Sequence, residues 1–325
     1  MKKSVLIFAV SVVITFLSLT TANVLDTFVF AHPEGKIDTK AEDFGFDLDE
    51  SKPSEKEESL SSVDQSSSMG SDIHGEEEKT TATLLTATKK LNNRDVTYHL
   101  VDIHLAKLSD LRTKVSTSDD GEFGPNIVKD FEALVGEAES DETNDVLAAI
   151  SGDFPFWKGR KGYIVRNGVT YRTEKRESED EDFALFKDGT VRSYMEDDVE
   201  FDDLNATHGG IYQNWSFGPA LIQDGKLAVD EDDEIDNQTM SNNQRTAIGY
   251  AGPNHFYFLS TTINGSRNSR RAGSFRLYDL ATTLLEVGCS EAYNLDGGGS
   301  AAIYYGDKII EDGRDLGDII YVVAR

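Results

Sequence analysis

Asn294-Leu295-Asp296-Gly297-Gly298-Gly299-Ser300 follows the apolar residue Tyr293 and reads as a strand that stops abruptly in a glycine turn. A plain hairpin needs only one or two glycines, so three in a row after an aspartate point to something more. Glycine reaches positive φ and lets the backbone approach a ligand closely, and successive N–H groups can form an anion-binding nest. Strand alternation turns Leu295 into the core and leaves Asn294 and Asp296 together on the other face, with the Ser300 hydroxyl beyond them. A glycine turn with no chemistry is the competing reading.

Outward from this turn, residues 275–287 carry Leu277, Leu280, Ala281, Leu284 and Leu285 at helical spacing. Residues 97–105 alternate in hydrophobicity and predict a half-buried strand, with His99 and His104 on opposite faces and therefore not on one metal. Pro125 followed by Ile127, Val128, Phe131, Leu134 and Val135 predicts an amphipathic helix, and residues 146–150 a buried strand. Asn167-Gly168, Asp188-Gly189, Asp224-Gly225 and the reversed pair Gly306-Asp307 mark hairpins between apolar runs. Strands and hairpins with a few packed helices, and no regular βα alternation, predict a single α+β domain over residues 85–325.

The N-terminal part reads differently. Lys2 and Lys3 precede an uncharged apolar stretch over residues 4–25, long enough to cross a bilayer, so residues 1–32 are expected to act as a signal anchor, or as a signal peptide if cleaved. The expected location is the cell membrane with an extracellular catalytic domain, or the secreted fraction after cleavage. Residues 33–84 are rich in Ser, Glu and Asp and are expected to form a disordered acidic tether, since they lack the apolar surface to offset ordering.

Composition narrows the function classes. The net charge of -27, from 59 acidic and 32 basic side chains over 325 residues, argues against nucleic acid, which demands clustered cations. A lone cysteine, Cys289, excludes an internal disulfide and a cysteine metal cluster, and the six histidines show no ligand spacing on a helix, so neither a metal nor another cofactor is expected.

Two further segments carry candidate chemistry. Ser151-Gly152-Asp153-Phe154 follows a buried strand, where an aspartate beside glycine is either exposed in a cleft or caps a turn. Gln244-Arg245-Thr246-Ala247-Ile248-Gly249 opens another strand after an acidic run, with Arg245 a ligand cation or a partner of that run.

Taken in order, residues 150–153, 162–172, 217–221, 245–249 and 293–300 resemble the phosphodiester glycosidase family, which includes the mannose 6-phosphate uncovering enzyme and bacterial exopolysaccharide-related proteins. The pairing of Arg-Thr-Ala-Ile-Gly with Asn-Leu-Asp-Gly-Gly-Gly-Ser is the most specific part. Ser151, Ala301, Ala302 and Gly317 depart from the family pattern. The resemblance implies hydrolysis of the bond between an anomeric carbon and a phosphate in a cell-surface or extracellular glycan. The partner is then a carbohydrate or sugar-phosphate polymer.

On that reading Asp153 and Asp296 are the catalytic carboxylates, one as base or nucleophile and the other on a sugar hydroxyl, their order left open. Arg245 is also catalytic and, with Arg166, binds phosphate. The backbone of Gly297, Gly298 and Gly299 adds a nest, and Asn294 and Ser300 face the substrate. Arg314 and Asp318 either complete the cleft or form a surface pair. The rivals are a non-catalytic glycan-binding protein on the same fold and a metal-dependent phosphodiesterase.

Overall fold

The computed structural model describes residues 79–91, 94–143, 145–155, 162–176, 181–231, 244–262 and 275–324. The apolar N-terminal stretch and the acidic segment to residue 78 lie outside the described residues. Among the described residues no helix is long and apolar enough to cross a membrane.

The described residues form three antiparallel sheets. The largest has the order β1 (Thr81–Leu91), β2 (Arg94–His104), β13 (His255–Thr261), β12 (Thr246–Gly252), β14 (Glu291–Leu295), β10 (Ala220–Gln223) and β11 (Lys226–Leu227). The second runs β16 (Lys308–Glu311), β15 (Ile303–Tyr305), β4 (Val146–Ser151), β17 (Asp318–Val323) and β3 (Leu111–Val115). The third runs β6 (Val169–Arg172), β5 (Ile164–Arg166), β9 (Ile211–Trp215), β7 (Glu181–Phe186) and β8 (Val191–Met195). Among the described residues the α-helices are α1 (Phe131–Glu142), α2 (Phe201–Asn205) and α3 (Leu277–Glu286). The outcome is an α+β arrangement dominated by its sheets.

Period-two alternation gives every sheet two apolar faces. Val101 and Ile103 of β2, Ile150 of β4, Phe183 of β7, Phe258 of β13, Leu295 of β14 and Ile320 of β17 meet in one central core. The intervening residues face outward, and each sheet covers that outer face with its own helix. Leu277, Leu280, Ala281 and Leu284 of α3 close the largest sheet over Leu100, Ala247 and Leu259. Phe131, Leu134 and Val135 of α1 cover Ala149, Ile319 and Tyr321 of the second. Leu204 of α2 packs with Tyr163, Val165 and Phe186 of the third. Each fully buried large apolar side chain contributes about 1.5–3 kcal/mol, so the helical caps are integral to the sheets beneath them.

All four glycine-containing turns close hairpins: β5–β6, β7–β8, β10–β11 and β15–β16. In three of them the paired residue also has positive φ, namely Asn167, Asp224 and Asp307 at 53°, 50° and 64°. That geometry matches the right-handed twist of the flanking strands. The helix expected from Pro125 begins later, at Phe131. Asn126 has φ 63°, and the Asp130 carboxylate accepts from the N–H groups of Glu132 and Ala133, so the chain turns first and the cap fixes the helix start.

Gly249 marks a close approach between β12 and α3, since a Cβ there would lie 2.5 Å from Cys289 Sγ and 3.1 Å from Leu284 Cδ2. Gly249→Ala is expected to destabilise the fold by about 1–3 kcal/mol through overpacking. Cys289→Ala in the same chain should recover part of that loss, as measured by urea denaturation.

Candidate active site

The ends of β4, β14 and β17, from two sheets, converge with the end of β5 from the third. Asp296 N–H donates to the Gly152 carbonyl at 3.0 Å, and Gly152 N–H donates to the Asp318 carbonyl at 3.1 Å. Ser151 Oγ and Thr246 Oγ1 both donate to the Asp296 carbonyl, at 3.0 and 2.7 Å. The serine that departs from the family pattern therefore fixes the start of the glycine turn. Gly152 lies so close to Asp318 that a Cβ would collide with Asp318 Oδ1.

A buried ion triad lies at the centre. Arg166 is 1% exposed, Asp153 1% and Asp318 0%. Arg166 Nε donates to Asp318 Oδ2 at 2.7 Å and Nη2 to Asp153 Oδ2 at 3.2 Å. Nη1 donates to the carbonyls of Val165 and Asn214. The remaining capacity of the two carboxylates is taken by main-chain donors. Asp153 N–H donates to Asp318 Oδ1 at 2.7 Å, Phe154 N–H to Asp153 Oδ1 at 2.7 Å, and Ser216 N–H to Asp153 Oδ2 at 2.8 Å. Burial opposes the charge on Arg166, but Asp318 and Asp153 outweigh it and hold the guanidinium above its ordinary value. Burial pushes Asp318 up to about 6 against the pull of Arg166.

Asp296 stands beside this triad. Burial pushes its carboxyl up to about 7, with the Ser300 hydroxyl and Arg314 opposing the shift and the charges of Asp153 and Asp318 adding to it. Arg314 Nη2 lies 3.8 Å from Asp296 Oδ2, and Arg314 Nε donates to Ser300 Oγ at 2.7 Å. The Arg314 guanidinium also lies 5.8 Å from the centre of the Phe154 ring. With its side chain 61% exposed against 7% for Asp296, Arg314 is the cation at the open rim.

The structure thus brings Asp153, Arg166, Asp296, Ser300, Arg314 and Asp318 together. Arg166, expected at the phosphate, is walled in by protein acceptors. The Arg314–Asp318 alternative of a surface pair fails because Asp318 is fully buried. Arg245 passes behind the glycine turn, its Cα 3.2 Å from where a Gly297 Cβ would be, so Gly297 is required by packing. The Arg245 Nε donates to the Phe275 carbonyl at 3.2 Å, and burial pushes its guanidinium down to about 10. The expected nest is modified too. Gly298, at φ 59°, donates its N–H to the Gln244 carbonyl at 2.7 Å, and Gly299 accepts from Arg314 N–H with its carbonyl. Asn294 is wholly buried and donates Nδ2 to the Gly218 carbonyl at 2.6 Å, which makes it part of the frame.

Sequence reasoning passed over Ser216, Thr246, Arg172 and Phe154 as working parts. Arg172 donates from Nη2 to the Pro155 carbonyl at 3.0 Å and tethers the segment that follows Asp153. Its place in the resembling block at residues 162–172 was the available signal. Ser216 had none, because its contact with Asp153 joins residues 63 apart.

The family model for phosphodiester glycosidases matches residues 144–323, and the chain belongs to that family. The catalytic domain of zebrafish N-acetylglucosamine-1-phosphodiester alpha-N-acetylglucosaminidase, auto-inhibited by its pro-peptide, shares the fold. The TM-score is 0.58 at 17% identity, over 78% of this chain and 86% of that one. A hypothetical protein from Synechocystis superposes with a TM-score of 0.49 at 12% identity, over 75% of this chain and 62% of its own. The SPbeta prophage-derived uncharacterized protein YomE of Bacillus subtilis (strain 168) is 27% identical over 156 residues, 47% of this chain. That match spans 23% of the length of YomE.

Two outcomes follow from the ion cluster. Arg166→Met leaves two buried carboxylates unpaired and is expected to lower unfolding free energy by about 3–5 kcal/mol in urea titrations. Asp296 has a folded pKa above its unfolded value of about 3.9, so the native state binds the proton more tightly and stability falls as pH rises from about 4 to 7. Asp296→Asn should therefore be more stable than the wild type at pH 8, with the gap closing as pH falls toward 4 in parallel thermal melts.

Proposed function

We propose that the domain hydrolyses a sugar-1-phosphodiester in an extracytoplasmic glycan, with Asp296 as the reacting carboxylate. The observation that carries this reading is the pairing of a buried carboxyl titrating near neutrality with one exposed arginine 3.8 Å away. Perturbed carboxyls in a cleft are the ordinary means of obtaining acid or base chemistry at neutral pH.

The roles divide by exposure. Arg314, anchored through Ser300 and lying near the Phe154 ring, offers the open side of its guanidinium to the anionic phosphate. Asp296, ionised, attacks the anomeric carbon or takes a proton from water. The anomeric C–O bond breaks and a phosphate monoester departs as a weak base, so little general-acid help is needed at the departing oxygen. Asp153 accepts four hydrogen bonds from protein groups and is a positioning residue, as are Arg166 and Asp318. They fix the Gly152 backbone on which Asp296 rests and place negative charge behind it. Arg245 supports the glycine turn from the opposite side.

The zebrafish relative acts on a phosphodiester of N-acetylglucosamine, and by likeness a glycan phosphodiester is the substrate class assigned to this chain. Residues 1–32 are proposed to target the chain to the membrane, as a signal anchor or as a cleaved signal peptide, on the strength of Lys2, Lys3 and the apolar stretch that follows. A carbohydrate-binding protein without turnover is the second reading, favoured by the replacement of polar residues with the buried Ala301 and Ala302.

The kinetic expectation is specific. With a synthetic sugar-1-phosphodiester, kcat/KM should rise with pH through an apparent pKa near 7. Asp296→Asn should lose about 10³-fold or more in kcat, on the scale of losing a group that acts in the transition state. Arg314→Ala should act mainly on KM. Binding of the diester without any turnover in the wild type would replace this reading by the carbohydrate-binding one.

A further inference from the structure

The largest sheet carries a second cluster, on its outer face. Asp102 and His104 are two residues apart on β2 and project to the same side. His255, the first residue of β13, is directly opposite His104 in the antiparallel ladder. His255 Nε2 lies 2.8 Å from Asp102 Oδ1 and His104 Nε2 lies 3.3 Å from the same oxygen. One donor atom from each of the three side chains falls within 4.8 Å of the others. The two imidazoles are stacked, centroids 4.1 Å apart, and the His104 side chain is 60% exposed.

This cluster is remote from the catalytic groups. His255 pairs with Gly252 at one end of β12, whereas Thr246, at the other end, holds Asp296. Six residues of strand separate them by about 20 Å. None of the contacts that build the ion triad or the glycine turn uses Asp102, His104 or His255, so the convergence has no part in the proposed hydrolysis.

We infer that Asp102, His104 and His255 form a surface site for a divalent transition-metal ion of the zinc class. Two imidazole nitrogens and one carboxylate oxygen are a donor set that such ions prefer, whereas calcium and magnesium require oxygen-rich cages. Donor gaps of 2.8 and 3.3 Å are close to the edge of a tetrahedron around an ion with ligands at about 2.0–2.2 Å, so small rotations of the exposed His104 and the half-buried Asp102 and His255 suffice. The solvent side leaves the remaining coordination to water or to a donor from another molecule. Because the ligands come from adjacent strands, the bound ion clips β2 to β13 and stabilises the native state in proportion to its occupancy.

The test is calorimetric titration of the chelator-treated full chain with zinc chloride and nickel chloride, with calcium and magnesium chlorides alongside. The expected result is one zinc or nickel ion per chain, no measurable calcium or magnesium uptake at this site, and at least a tenfold loss of zinc affinity in His255→Gln and in Asp102→Asn. His104→Ala removes an exposed side chain, keeps the fold by circular dichroism, and should lose affinity to the same degree. His208→Ala, at the separate His208–Asp188 pair, should bind zinc as the wild type does. No zinc or nickel uptake by the wild type, or equal uptake by His104→Ala and the wild type, would overturn the site.

Discussion

Everything at this site depends on a guanidinium that never meets the solvent. Arg166 ends β5 in the third sheet and holds Asp318 at the start of β17 and Asp153 just beyond β4, both in the second. Two carboxylates buried without a cation would be held in the charged form only at a large penalty, and a buried arginine alone would be as unfavourable. The three are mutually necessary. Their contacts set the backbone of Gly152, and through it the position of Asp296 on the largest sheet. The site is thus the junction of all three sheets, and its electrostatics follow from that. Burial biases Asp296 toward its protonated form, and the charges of Asp153 and Asp318 add to that bias.

The junction also explains the use of glycine. Gly152, Gly297 and Gly313 occupy positions where a Cβ would meet Asp318, the Gln244 carbonyl and the Ser300 carbonyl respectively. The run of three glycines after Asp296 thus includes one required by close packing, one at positive φ and one whose carbonyl receives Arg314 N–H. Their shared effect is to bring Ser300 and the exposed Arg314 back over Asp296. Chemistry and packing are served by the same turn.

Local features of the sequence announced local structure well. Positive-φ pairs such as Asn167-Gly168 defined hairpins, and the spacing of Leu277, Leu280 and Leu284 defined α3. That residues 294–300 and Asp153 stand at the ends of buried strands was legible for the same reason, since glycine beside aspartate at a strand end is unusual. Partnership was not legible. Arg166 meets carboxylates 13 and 152 residues away, and whether an arginine faces solvent or a buried acid depends on strand pairings that no local pattern encodes. His255 and Asp102 meet across 153 residues for the same reason. The contrast between Arg166 and Arg314 has the same origin: both are arginines near acidic or glycine-rich segments, and only the assembled sheets show which one reaches the surface.

The central claim is that burial beside the triad holds the Asp296 carboxyl toward its protonated form, with Ser300 and Arg314 opposing the shift. Carbon-13 detected titration of aspartate side chains, with the Asp296 resonance assigned by its loss in Asp296→Asn, measures this directly. The account predicts a midpoint near 7, moving higher in Arg314→Ala as the opposing cation is removed. A midpoint near the ordinary aspartate value of about 3.9, unmoved by Arg314→Ala, would contradict it.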